Sequence, residues 1–124
     1  MFTQVPYGYR DGANYKEAST IHLEGVLSPD DIQRIEEKLS GGEFFIPADL
    51  MGLDVVELQD RLPSFPCDDD HPWHTLQLYH LTVSSDLPAD SLNVIPVEKF
   101  VEAFDKIEGQ NAWDEVGAMK RLGL

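Results

Sequence analysis

The sequence predicts an α+β domain: a small antiparallel β-sheet with about three α-helices packed mainly on one face. Three observations predict it. Residues 29–40 and 96–108 carry apolar side chains at helical spacing, each followed by glycine. Residues 20–26 and 75–83 carry the alternating or continuous apolar pattern of strands. The 124 residues, 42% hydrophobic, fit a single domain over 1–124 that holds a core without staples.

Each element has a local reason. Tyr7, Tyr9 and Tyr15 suggest an early strand or turn, broken at Asp11-Gly12. From Thr20 to Val26, Ile21 and Leu23 alternate with His22 and Glu24, as in a half-buried strand. Ser28 is then a good N-cap, Pro29 suits the first helical position, and Asp31 completes a Ser-x-x-Asp capping box. Leu27 and Ile32 stand where a hydrophobic staple needs them. Ile32, Ile35 and Leu39 form the apolar stripe, and Gly41-Gly42 stops the helix.

Phe44-Phe45-Ile46 reads as a short buried strand closed by Pro47, and residues 48–53 as one helical turn. Prolines 63, 66 and 72 mark residues 62–74 as a loop. Thr75 to Val83 is expected as the longest strand. Its apolar face changes from Leu76 and Leu78 to Tyr79, Leu81 and Val83, which predicts burial on both faces or a bulge. Residues 84–90 are expected to turn. The helix over 96–108 places Val97, Phe100, Val101, Phe104 and Ile107 on one side. Asn111 is expected to cap a last helix, with Asp114 and Glu115 near its positive end.

Charge bounds the partners. The chain carries 23 Asp and Glu against 9 Lys and Arg, a formal net of −14. That field repels nucleic acid and anionic membranes and attracts basic surfaces. Direct nucleic-acid binding needs clustered cations, and the nine here are scattered. No apolar run is long enough to span a membrane, and the N-terminus lacks the pattern of a signal peptide. Cys67, the lone cysteine, forms no intramolecular disulfide and suits a reducing, cytoplasmic setting.

Two constellations carry chemistry-bearing residues. In Asp68-Asp69-Asp70-His71-Pro72-Trp73-His74, the side chains of Asp70, His71 and His74 are candidate ligands for a divalent metal, with His80 in reach from the next strand. The plainer reading is a polar loop whose Trp73 plugs the core and whose aspartates cap turns. Arg10-Asp11 with Asn14, Tyr15 and Lys16 are residue types that orient a small anion, although the Asp-Gly turn accounts for them without one. Neighbouring aspartates disfavour a thiolate at Cys67. No phosphate-binding loop or nucleophile elbow is present.

Three groups of segments occur together in order: Tyr9-Arg10-Asp11 with Asn14-Tyr15-Lys16, Gly42 to Pro47 with Gly52-Leu53, and Asp70-His71-Pro72-Trp73-His74. In this the chain resembles a family of small, acidic bacterial proteins with no established activity. The resemblance covers the first two-thirds and implies a small bacterial domain. It carries over no catalytic residue.

The expected function is therefore that of a non-enzymatic interaction protein of the inhibitor, antitoxin or anti-defence type, nucleic-acid mimics included. Asp68, Asp69, Asp70, Glu98, Glu102, Asp105 and Glu108 would present an acidic face to a basic protein. Trp73 and Trp113 would be its apolar anchors. The alternative is a small metal-binding protein or metal-dependent hydrolase built on the Asp-His loop. Otherwise no cofactor is expected, and the chain is expected as a monomer or homodimer.

Overall fold

The first strand, β1 (Phe2–Arg10), buries every second residue: Thr3, Val5, Tyr7 and Tyr9. That period of two defines a core face and an outer face. The chain turns through residues 11–15 into β2 (Lys16–Glu24), antiparallel to β1 in an unbroken register from Phe2↔Glu24 to Arg10↔Lys16. The hairpin bends as expected at Asp11-Gly12: the N–H of Asn14 donates to the carbonyl of Asp11 at 3.1 Å, with Gly12 and Ala13 at the centre of the turn. Asn14 takes the left-handed conformation, at φ 71°. Asp11 holds the loop by accepting the backbone N–H of Ala13 and of Tyr15 through Oδ1, both at 2.9 Å. The computed structural model describes residues 1–87 and 93–124; the last part of the expected 84–90 turn lies outside the described residues.

Helix α1 (Pro29–Lys38) starts as its sequence predicts. Ser28 Oγ accepts the N–H of Asp31 at 3.1 Å, and Asp31 Oδ2 accepts the N–H of Ser28 at 3.2 Å. Ile35 and Leu39 point into the core, and Gly41 and Gly42 supply the positive φ that turns the chain back. Strand β3 (Phe44–Phe45) follows, then a 3₁₀ turn over Pro47–Asp49 and a second over Gln59–Arg61.

The expected long strand over 75–83 is broken. Strand β4 (His74–Leu76) pairs with one end of β1, and β5 (Thr82–Ser84) pairs with the other. Between the two ladders the register advances by three residues, which are the 3₁₀ turn Leu78–His80. An odd insertion flips the faces, which is what the changing apolar pattern recorded. Leu78 is buried, whereas Tyr79 is 79% exposed.

Strand β6 (Val94–Pro96) runs straight into α2 (Val97–Asp105). It lies parallel to β2, so the sheet is mixed, ordered β3–β4–β1–β2–β6 with β5 also on β1. The short β6 carries no alternating signal beyond Val94-Ile95. Helix α2 ends before Glu108, so that residue lies beyond the helix rather than on its face. The last helix, α3 (Glu115–Leu122), is capped by Asp114 rather than Asn111: Asp114 Oδ1 accepts the N–H of Gly117 at 3.0 Å.

The core sits between the sheet's inner face and the α1–α2 layer. Phe45, Phe100 and Phe104 are fully buried, each worth about 2–3 kcal/mol. Among the described residues, helix α1 is tied to the later chain at four points, one of them the Tyr79 hydroxyl donating to Glu36. Arg34 pairs with Asp105, Lys38 Nζ donates to the carbonyl of Ile107, and Trp113 Nε1 donates to the carbonyl of Lys38 at 2.9 Å.

Candidate functional site

The Asp-His loop folds against the hairpin end of β1. Tyr9 donates its hydroxyl to Asp70 Oδ1 at 2.6 Å and accepts the N–H of His71 at 3.3 Å. Burial, reinforced by the hydrogen bond to Asp70, pushes the Tyr9 hydroxyl well above its ordinary range, so it stays a donor. Asp70 is buried, and its Oδ2 accepts the N–H of Cys67 at 3.0 Å. His71 Nδ1 accepts the N–H of Trp73 at 3.0 Å, so Nε2 carries the proton given to the carbonyl of Arg10 at 2.7 Å.

His74 lies deeper, 1% exposed. Its Nε2 accepts the N–H of Leu58 at 3.0 Å, and Nδ1 donates to the carbonyl of Pro72 at 3.1 Å. Burial pushes its pKa down to about 4, so the ring is neutral at pH 7.

Asp70, His71 and His74 all neighbour Tyr9, but their polar atoms are turned onto the protein itself rather than toward a common point. Among the described residues, no group of three or more His, Cys, Asp or Glu side chains is arranged to hold a metal ion. His80 sits exposed on the turn after β4. At Cys67 a backbone hydrogen bond from Asp69 favours the thiolate, but desolvation and the Asp70 and Asp69 carboxylates outweigh it and the thiol pKa rises.

Segments far apart in the chain meet here. Tyr9 touches Asp70, Arg10 touches His71, and the rings of Phe45 and His74 stand 6.0 Å apart. Tyr9, Arg10 and His71, together with Gly8, Ala18, Thr75 and Gln77, line a groove of about 740 Å³ on the sheet's outer face. Arg10, Lys16 and Trp73 were legible as candidates. Phe44, 39% exposed, and the small residues beside it were not, because only the strand register sets them in one row.

The expected acidic face is divided. Asp68 and Asp69 are exposed and lie against the hairpin turn, where the carbonyl of Asp69 accepts the N–H of Gly12 at 2.9 Å. Glu98, Glu102 and Glu108 are exposed elsewhere, on and after α2. Asp105 is engaged by Arg34. Asp70 is internal and presents no charge to a partner. Trp113, expected as an apolar anchor, is a core residue: its ring stands 6.1 Å from Phe104 and is 6% exposed. Trp73 is half-buried at the groove and keeps an accessible part.

Comparison with protein-family models, with curated proteins and with solved structures found no match. Among the described residues no helix is long and apolar enough to cross a membrane.

Proposed function

We propose that this chain is a non-enzymatic binding protein whose acidic exterior docks on a basic protein surface. The observation that carries the reading is the division of α2. Its inner side, Phe100, Val101 and Phe104, is buried in the core, while Glu98 and Glu102 stand exposed one turn apart. Among the described residues neither is in an ion pair. Like charges at that spacing cost a helix about 0.3 kcal/mol. A repulsion so easily removed by one substitution is consistent with a surface kept for a cationic partner.

The inward engagement of Asp70, His71 and His74 favours binding over catalysis, since each is already committed to holding the loop. The partner class is a basic protein, of the kind met by inhibitors, antitoxins and anti-defence proteins, acting in a bacterial cytoplasm. We further propose that the chain belongs with the small acidic bacterial proteins it resembles.

Capture of partners from a bacterial lysate at low and at high salt tests this. Association through exposed charge weakens steeply as salt rises. A basic protein retained only at low salt is the expected outcome; capture indifferent to salt would remove the electrostatic docking.

A further inference from the structure

The registers of four strands set the outer face in rows. Arg10 faces Lys16 across the β1–β2 ladder. The β1–β4 register, followed past Gly8↔Thr75 toward the hairpin, brings Trp73 level with Arg10. The next row is Ala18, Gly8, Thr75 and Phe44, one residue from each of four strands. These side chains line the groove of about 740 Å³, a volume in the usual range of small-molecule sites.

The floor is flat because its middle positions are small. A Cβ at Gly8 would stand 3.3 Å from the carbonyl oxygen of Glu17, so even a methyl would be tight there. Phe44 and Trp73 offer aromatic surface beside that floor. Arg10 and Lys16 are exposed cations, and among the described residues neither is in an ion pair. Like charges directly opposite destabilise a ladder, and this chain has 23 acidic residues from which a partner could be drawn. The groove also has acidic groups, Glu17 beside the cations and Glu43 next to Phe44 at the far edge. Four strands span about 14 Å from Lys16 to Phe44. The cations lie on the β1–β2 side and Glu43 on the β3 side.

We propose that this groove binds a small planar organic monoanion. Its carboxylate would be held by the Arg10 guanidinium and the Lys16 ammonium, and its ring would lie over Gly8, Ala18 and Thr75 beside Phe44 and Trp73. An Arg fork grips a carboxylate through two parallel hydrogen bonds, and a neighbouring Lys adds charge. Glu43 disfavours a second negative charge at the far end. The charge pair thereby acquires a partner that the fold does not supply.

Amide and indole chemical shifts of the full chain, titrated with 2-naphthoate, test the proposal. Shifts confined to the groove residues and the Trp73 indole are expected, with a Kd of about 1 mM or tighter. Arg10→Gln should weaken binding about ten-fold. Ala18→Phe, on an exposed floor position, should block it while leaving the remaining spectrum unchanged. The neutral isostere 2-naphthamide and the dianion 2,6-naphthalenedicarboxylate should both bind more weakly. Equal binding of the amide would overturn recognition of the charge, and equal binding of the dianion would overturn the monoanion. Naphthoate binding unaffected by Arg10→Gln and Ala18→Phe, or no groove shifts at all, would overturn the site.

Discussion

Arg10 of β1 stands directly opposite Lys16 of β2, two cations in register in a chain of formal net charge −14. Cross-strand repulsion of this kind is a stability cost that the rest of the surface could have cancelled. Lys16→Glu turns it into an attraction and should stabilise the fold by about 0.5 kcal/mol, read from the midpoint of urea unfolding. A lower midpoint would mean that the two side chains do not repel.

Tyr9 and Asp70 join segments 61 residues apart through a buried 2.6 Å hydrogen bond. Tyr9→Phe leaves the carboxylate buried with one donor fewer and takes an acceptor from the N–H of His71. The expected loss is about 2–3 kcal/mol by urea unfolding, more than for a neutral surface pair. A change under about 0.5 kcal/mol would show that the loop is held by other contacts.

His74 makes the fold acid-sensitive. Its folded pKa is lowered from 6.5 to about 4, so the unfolded chain takes up the proton first as pH falls. The His74 contribution is fully present above about pH 6.5 and is lost as pH falls toward about 4, by on the order of 3 kcal/mol. Urea unfolding across that window should show the decline. In His74→Gln the starting stability should be lower, because the N–H of Leu58 loses its acceptor geometry, and the slope should be shallower. An unchanged slope in the variant would assign the acid sensitivity to the carboxylates instead.

The two tryptophans should differ sharply. Trp113 is buried against Phe104 and hydrogen-bonded to Lys38, so Trp113→Ala should cost about 3–5 kcal/mol. Trp73 is half-buried at the groove, and Trp73→Ala should cost about 1–2 kcal/mol. Thermal unfolding of the two variants separates them, and equal losses would contradict the difference in burial.

What could be read from sequence divides along range of interaction. Ser28, Pro29 and Asp31 act within one turn, so the start of α1 was legible to the residue. Strands β4 and β5 were not separable in advance, because the break at Leu78–His80 is set by where each piece meets β1. The burial of Trp113 depends on a carbonyl 75 residues away, and no local pattern reports it. Likewise Asp70 and His74 looked like open ligands because their donors, the Tyr9 hydroxyl and the Leu58 N–H, come from distant segments. The groove needed the length of the 11–15 turn, which puts Arg10 opposite Lys16. The α2 stripe, by contrast, was local: Phe100, Val101 and Phe104 went inside and Glu98 and Glu102 stayed outside, as helical spacing requires.

The acidic face of α2 bears most directly on the docking of a basic partner, and its charges can be removed without touching the core. Affinity capture at low salt with Glu98→Gln/Glu102→Gln, beside the unaltered chain, is the decisive measurement. Both proteins should show the same fold by circular dichroism, with the variant stabilised by about 0.3 kcal/mol as the like-charge repulsion disappears. The basic partner held by the unaltered chain should be lost or weakened about ten-fold in the variant. Undiminished capture by the variant would contradict docking through this face.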